Sequence, residues 1–133
     1  MGMRRVILVA DDDLPIRTFI REILVDEGYD VLVAADGNEA VALSRAHPGV
    51  IDLMLTDLQM PHLDGLSAFH RISAERSEMK VLFISGDPFR AQFSERWPFL
   101  SKPFRLHEML TTVHAILEDA RQAVHESVPS EQM

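Results

Sequence analysis

The chain has 133 residues, enough for one domain with its own core, and its 47% apolar content is ordinary for a globular fold. With no cysteine it can build neither a disulfide framework nor thiol chemistry. A net charge of −8 argues against a nucleic-acid surface, which needs a basic patch, and no stretch approaches the ~20 apolar residues of a membrane helix. The N-terminus imitates a signal peptide, basic and then apolar. The apolar run is short and meets Asp11, Asp12 and Asp13, so membrane insertion is not expected and a cytoplasmic location is.

Strand and helix patterns alternate along the chain. Residues 4–10 are apolar and β-branched, as in a buried strand. Residues 14–27 follow as a helix, with Ile16, Phe19, Ile20, Ile23 and Leu24 on one face and Gly28 as its stop. Residues 29–34 read as a short strand. Asp36 and Glu39 form a capping box for a helix ending near Ala46, before Pro48 and Gly49. Residues 51–56 give a third strand and 61–64 a turn, and Leu66, Phe69 and Ile72 mark the next helix. A fourth strand is expected over 80–85, at best a short helix over 88–95, and a fifth strand over 97–101, where Pro98 suggests a sheet edge. Leu106, Met109, Leu110, Val113, Ile116, Leu117, Ala120 and Val124 predict a final amphipathic helix. The domain is expected to span 1–125, with a disordered polar tail at 126–133.

Repeated strand–helix units imply an α/β fold: a doubly wound parallel sheet with helices on both faces and a crevice at the carboxyl ends of the strands. Four polar stops fall at those ends: Asp11 and Asp12, Asp57, Ser85, and Lys102. Lys102 stands out in a chain with eleven Arg and two Lys. Converging carboxylates repel one another unless a cation joins them, and hard oxygen ligands favour Mg²⁺ or Mn²⁺. A hydroxyl and an ammonium nearby could bind phosphoryl oxygens. Asp13 is read instead as a helix cap before Leu14 and Pro15.

With these residues in place, the chain resembles a response regulator receiver domain of bacterial two-component signalling over residues 4–125. The resemblance rests on Asp11-Asp12, on Asp57 in Asp57-Leu58-Gln59-Met60-Pro61 with Asp64-Gly65 following, on Ser85-Gly86 and on Lys102-Pro103-Phe104. It implies a five-stranded sheet of order 2-1-3-4-5. It also implies a mechanism in which Asp57 accepts a phosphoryl group from a histidine kinase or histidine phosphotransfer protein. The metal would be held by Asp11, Asp12, Asp57 and the main-chain carbonyl of Gln59. Ser85 and Lys102 would bind the phosphoryl group, and Phe99, three before Lys102, would follow Ser85 as a switch aromatic. Gln59 and Asp87 would tune dephosphorylation, and the Lys102–Pro103 bond would be cis. The protein would act on a downstream protein target and would not be a turnover enzyme.

Lys102 lies 17 positions after Ser85, shorter than the family spacing by more than one helical turn of ~3.6 residues. The helix between the fourth and fifth strands is therefore expected to be stunted, and output to use a different geometry from that of DNA-binding regulators. Phe89, Phe93 and Trp97 are expected in the core. His62 is placed near the site entrance. His107-Glu108-Met109-Leu110-Thr111-Thr112 imitates a kinase phosphorylation box but lacks its proline and is set aside. A stand-alone receiver is the leading reading. A receiver excised from a hybrid kinase or longer regulator is a second. A haloacid-dehalogenase-like phosphatase, suggested by Asp11-Asp12-Asp13, is a remote third because it leaves Asp57 unexplained.

Overall fold

The computed structural model describes residues 4–87 and 96–130, with side chains described as far as residue 118. The elements run β1 (Val6–Ala10), α1 (Leu14–Asp26), β2 (Asp30–Ala34), α2 (Gly37–Ala46), β3 (Leu53–Asp57), α3 (Gly65–Glu75), β4 (Lys80–Ser85), β5 (Phe99–Ser101) and α4 (Leu106–Ser130). All strand pairs are parallel, in the order β2-β1-β3-β4-β5. β3 lies at the centre of the sheet and is buried at every position, which explains why its sequence is a continuous apolar run instead of an alternating one.

Strand alternation divides the core into two layers. Leu8, Met54, Val81 and Phe83 pack with Ala40 and Val41 of α2 and Ala68, Phe69 and Ile72 of α3. Ile7, Val9, Leu53, Leu55, Leu82 and Ile84 pack with Ile20 and Leu24 of α1 and Met109, Val113 and Leu117 of α4. Among the described residues, four helices thus cover both faces, and none is long and apolar enough to cross a membrane.

The helix starts follow their capping residues. Asp13 accepts from the Ile16 amide at 3.4 Å, with Pro15 in the first turn, and Asp64 accepts from the Ser67 amide at 2.7 Å. Asp36 accepts from the Glu39 amide at 2.8 Å, while Glu39 reaches back one residue further than expected, to the Ala35 amide. α1 ends at Gly28, whose φ of 100° lets the Tyr29 amide bond back to the Leu24 carbonyl.

Most element ends lie within two residues of the sequence expectation, and three of the differences have a physical reason or bear on the site. β3 extends to Asp57, which pairs in register with Ile84, so the carboxylate is carried by the strand itself. β5 starts at Phe99 rather than 97, because Pro98 has no amide to donate; its carbonyl still accepts from Phe83 at 3.1 Å. α4 runs helical to Ser130, beyond the expected boundary at 125 and into the segment expected to be a disordered tail. Residues 122–128 contain no proline or glycine to stop it. The helix expected over 88–95, its stunting, and the positions of Phe89 and Phe93 fall outside the described residues. Trp97 is half-buried against the α2–α3 layer.

Arg76, at the end of α3, acts as a clamp. Its guanidinium donates to the Ser44 hydroxyl and to the carbonyls of Ser44, His47 and Gly49, at 2.7–2.9 Å. Two of those carbonyls belong to the last turn and cap of α2, where the backbone ladder runs out: the Ser44 carbonyl otherwise meets only the His47 amide, at 3.3 Å. Arg76→Ala is expected to lower the unfolding free energy by about 2–3 kcal/mol in urea titrations. Arg76→Lys should recover less than half, since an ammonium lacks the planar fork.

Candidate functional site

The carboxyl ends of β1, β3, β4 and β5 bring the predicted residues together. Asp11 and Asp12 follow β1, Asp57 ends β3, Ser85 ends β4 and Lys102 follows β5. Carboxylate oxygens of Asp11, Asp12 and Asp57 lie within 4.8 Å of one another. Asp11 and Asp57 are buried, at 1% and 7% exposure, whereas Asp12 is exposed. The Lys102 ammonium donates to Asp57 Oδ2 at 2.8 Å and stands 3.4 Å from Asp11 Oδ2.

Backbone amides hold the carboxylates in place. Asp11 Oδ1 accepts from the Asp13 amide at 2.9 Å, and Asp57 Oδ1 from the Gln59 amide at 3.2 Å. Asp11 Oδ2 is buried with no hydrogen-bond partner despite its ion-pair distance to Lys102. The Ser85 hydroxyl accepts from the Asp87 amide at 3.0 Å, and the Ser85 carbonyl accepts from the Lys102 amide at 2.9 Å, tying the two strand ends together. The Lys102–Pro103 peptide is cis. Phe99 is half-buried on the α2–α3 side, in register with Phe83.

Burial pushes the Asp11 carboxyl up from its usual range, and the neighbouring Asp57 charge adds to the push. The Asp13 amide and the Lys102 charge oppose it without cancelling it. Burial alone would lower Lys102, but its hydrogen bond to Asp57 and the charges of Asp11 and Asp57 outweigh burial and hold the ammonium above its ordinary value. One cation thus faces three clustered carboxylates. An orphaned buried oxygen within an all-oxygen donor set fits a hard divalent cation.

Contacts beyond those anticipated also shape the site. Arg17 donates to the Asp11 carbonyl at 2.7 Å, and the fully buried Thr56 hydroxyl donates to the Asp57 carbonyl at 2.9 Å. A hydroxyl inside an otherwise apolar strand was the available signal for Thr56. A Cβ at Gly65 would overlap the Asp57 carbonyl oxygen, so only glycine allows α3 to start so close to β3. Gly65→Ala is expected to cost about 2 kcal/mol or more in urea unfolding through this overlap. Beside the carboxylates a cleft of about 460 Å³ is bounded by Asp12, Gln59, Met60, Pro61 and Leu66. His62, next to Pro61, is exposed with φ 71°.

Comparison with known proteins gives a consistent answer. A family model for the response regulator receiver domain matches residues 7–114. Sensor kinase CckA of Brucella abortus is 33% identical over 122 residues, covering 88% of this chain and 13% of that protein. Response regulator MprA of Mycobacterium leprae is 33% identical over 132 residues, covering 89% of this chain and 55% of that protein. The chain therefore spans about half or less of the length of these relatives. A receiver domain protein from Methanospirillum hungatei superposes with a TM-score of 0.80 at 25% identity, covering 90% of this chain and 98% of that one. The receiver domain of hybrid histidine kinase CckA superposes with a TM-score of 0.74 at 31% identity, covering 84% and 98%. With the crevice, its acidic cluster and its lysine arranged as described, the chain belongs to the response regulator receiver domain family.

Proposed function

We propose that Asp57 is the phosphoacceptor of a Mg²⁺-dependent receiver. The observation that carries this is the position of its carboxylate, 2.8 Å from the Lys102 ammonium and grouped with Asp11 and Asp12. An Asp57 oxygen attacks the phosphorus of a phosphohistidine on a histidine kinase or phosphotransfer protein. The P–O bond forms as the P–N bond breaks, and the imidazole leaves with the bonding electron pair. Asp11, Asp12, Asp57 and the Gln59 carbonyl are the residues that would hold Mg²⁺ (or Mn²⁺). Bound there, the cation neutralises the crowded carboxylates and the charge on the phosphoryl oxygens. Lys102 passes from the Asp57 carboxylate to a phosphoryl oxygen, and the Ser85 hydroxyl donates to another.

Phe99 follows Ser85 as the switch aromatic, while Gln59 and Asp87 flank the path of hydrolytic water. The receiver unit is taken as residues 1–125, located in the cytoplasm. It is a stoichiometric acceptor, not a turnover enzyme, and signals to a protein target or relays phosphate. The matches to a sensor kinase and to a response regulator are compatible with a receiver acting alone or within a longer protein. Nothing in the comparisons supports the phosphatase reading, which would also leave the Asp57–Lys102 pair without a role.

Incubation with Mg²⁺ and acetyl phosphate is expected to add one phosphoryl group to the wild-type chain by intact mass and none to Asp57→Asn. An adduct that persisted in the variant would place the acceptor elsewhere. Turnover of phosphomonoesters dependent on Asp11 would favour the phosphatase.

A further inference from the structure

We propose that Arg17 is a positioning residue for the metal: it holds the backbone of residues 11–13 so that the exposed Asp12 carboxylate stays grouped with those of Asp11 and Asp57. This role rests on the metal-binding reading of Asp11, Asp12 and Asp57. Asp11 and Asp57 are buried, and each accepts from a main-chain amide, that of Asp13 or of Gln59. Asp12 is exposed, and among the described residues no hydrogen bond or ion pair holds its carboxylate. Its place within 4.8 Å of the other two carboxylates is therefore set by the backbone that carries it.

Arg17 holds that backbone on both sides of Asp12. Its amide donates to the Asp13 carbonyl at 2.9 Å, the first hydrogen bond of α1, and its guanidinium donates to the Asp11 carbonyl at 2.7 Å. The Asp11 amide is tied in turn to the Ala34 carbonyl at the end of β2, at 3.1 Å. The chain is thus fixed up to Asp11 and again from Asp13, with Asp12 between. Helix geometry makes the reach possible, because side chains lean toward the helix N-terminus and the fourth residue of α1 lies back over the turn before it. Helix stability alone does not call for an arginine here, since a cation near the N-terminus opposes the helix dipole. The half-buried guanidinium finds its partner in the metal loop instead. Mg²⁺ takes oxygen ligands at about 2.0–2.1 Å in near-octahedral geometry, so a ligand on a loose loop would have to be ordered on binding.

Charge and positioning predict opposite signs. Arg17 is a cation beside an acidic cluster, so by charge alone its removal would tighten Mg²⁺ binding. As a positioning residue, its removal loosens Asp12 and weakens Mg²⁺ binding. Mg²⁺, as the sole added ligand, is titrated against the melting temperature of wild type, Arg17→Met and Arg17→Lys, and the metal-free proteins are unfolded in urea. Arg17→Met is expected to weaken Mg²⁺ binding by about 10-fold, as loss of a partner behind a metal ligand does. Arg17→Lys keeps the charge and one donor, and is expected to stay within about 3-fold of wild type. Binding by Arg17→Met that is unchanged or tighter would overturn the role, and a loss of metal-free stability beside it would mark Arg17 as a structural anchor alone. Arg17→Lys as weak as Arg17→Met would also overturn it, since the loss would then follow side-chain shape and not the bond to the Asp11 carbonyl. No response of the wild type to Mg²⁺ would overturn the metal reading and the role together, whereas the two variant outcomes leave the metal reading standing. Should Arg17→Met fail to fold, Arg17→Gln, which also removes the charge and the reach, takes the identical test.

Discussion

Lys102→Met is expected to destabilise the metal-free protein by about 2–4 kcal/mol at pH 7, because it leaves two buried carboxylates with no cation between them. In the wild type the ammonium is 2.8 Å from Asp57 and 3.4 Å from Asp11, and its side chain is only 22% exposed, so solvent screens these interactions weakly. The Lys102 pKa lies above its ordinary value of 10.5. Its stabilising contribution is therefore complete below 10.5 and is lost as pH rises through the folded value. In the variant Asp11 loses the charge that opposes its burial, so its upward displacement grows. A carboxyl raised in the folded state favours the protonated native form, and the deficit should shrink as pH falls toward 3.8. Urea titrations at pH 7 and pH 5 check both parts: a large deficit at pH 7 and a smaller one at pH 5. Saturating Mg²⁺ should restore part of the loss by supplying the missing positive charge. A variant as stable as wild type at pH 7 would mean that hydration from the Asp12 side already compensates the pair.

The fold and the centre of the site were legible because the same few forces write both. The apolar runs at β1, β3 and β4 end where the strands leave the core, so the aspartates after β1 and at the end of β3, and the serine that ends β4, sit at the crevice. Asp13, Asp36 and Asp64 begin helices because a short carboxylate reaches a free amide three residues on, and that rule needs no knowledge of the tertiary structure. What could not be read depends on contacts distant in sequence. The Arg76 clamp joins positions about 30 residues apart, and nothing near Arg76 indicates which carbonyls it will meet. Arg17 could equally have been a solvent-facing helix residue, yet it fastens the Asp11 carbonyl. The edge-to-face contacts of Phe69, Phe83 and Trp97, at 5.3–6.0 Å between ring centroids, required the register of β5 against β4, and Pro98 obscured that register by moving the start of the strand. The last helix runs past residue 125 because polar residues without proline or glycine, as at 122–128, leave the backbone ladder free to continue.

Asp11→Asn is expected to move stability and metal affinity in opposite directions. The wild-type carboxylate is almost wholly buried, and its Oδ2 has no hydrogen-bond partner, so holding it ionised opposes folding. An asparagine keeps the oxygen that accepts from the Asp13 amide and removes the buried charge, at the cost of the attraction to Lys102. The first effect exceeds the second, as the upward displacement of the Asp11 pKa indicates, and a gain of about 1 kcal/mol in the metal-free protein follows at pH 7. The sign of the pH dependence is fixed by the same displacement. The ionic penalty is absent below 3.8, grows as pH rises through the higher folded value and is complete above it, so the advantage of the variant should vanish in acid. Removing one of three clustered carboxylates should also weaken Mg²⁺ binding by on the order of 100-fold, and Mg²⁺ should then no longer raise the melting temperature. Thermal melts with and without Mg²⁺, at pH 7 and at pH 4, read all four quantities. If the variant were less stable than wild type at pH 7, the attraction of Asp11 to Lys102 would outweigh its burial, and the site would be held together by its charges instead of being held in spite of them. The expected pattern has the opposite meaning: the fold tolerates an unfavourable carboxylate because the carboxylate is needed for the metal.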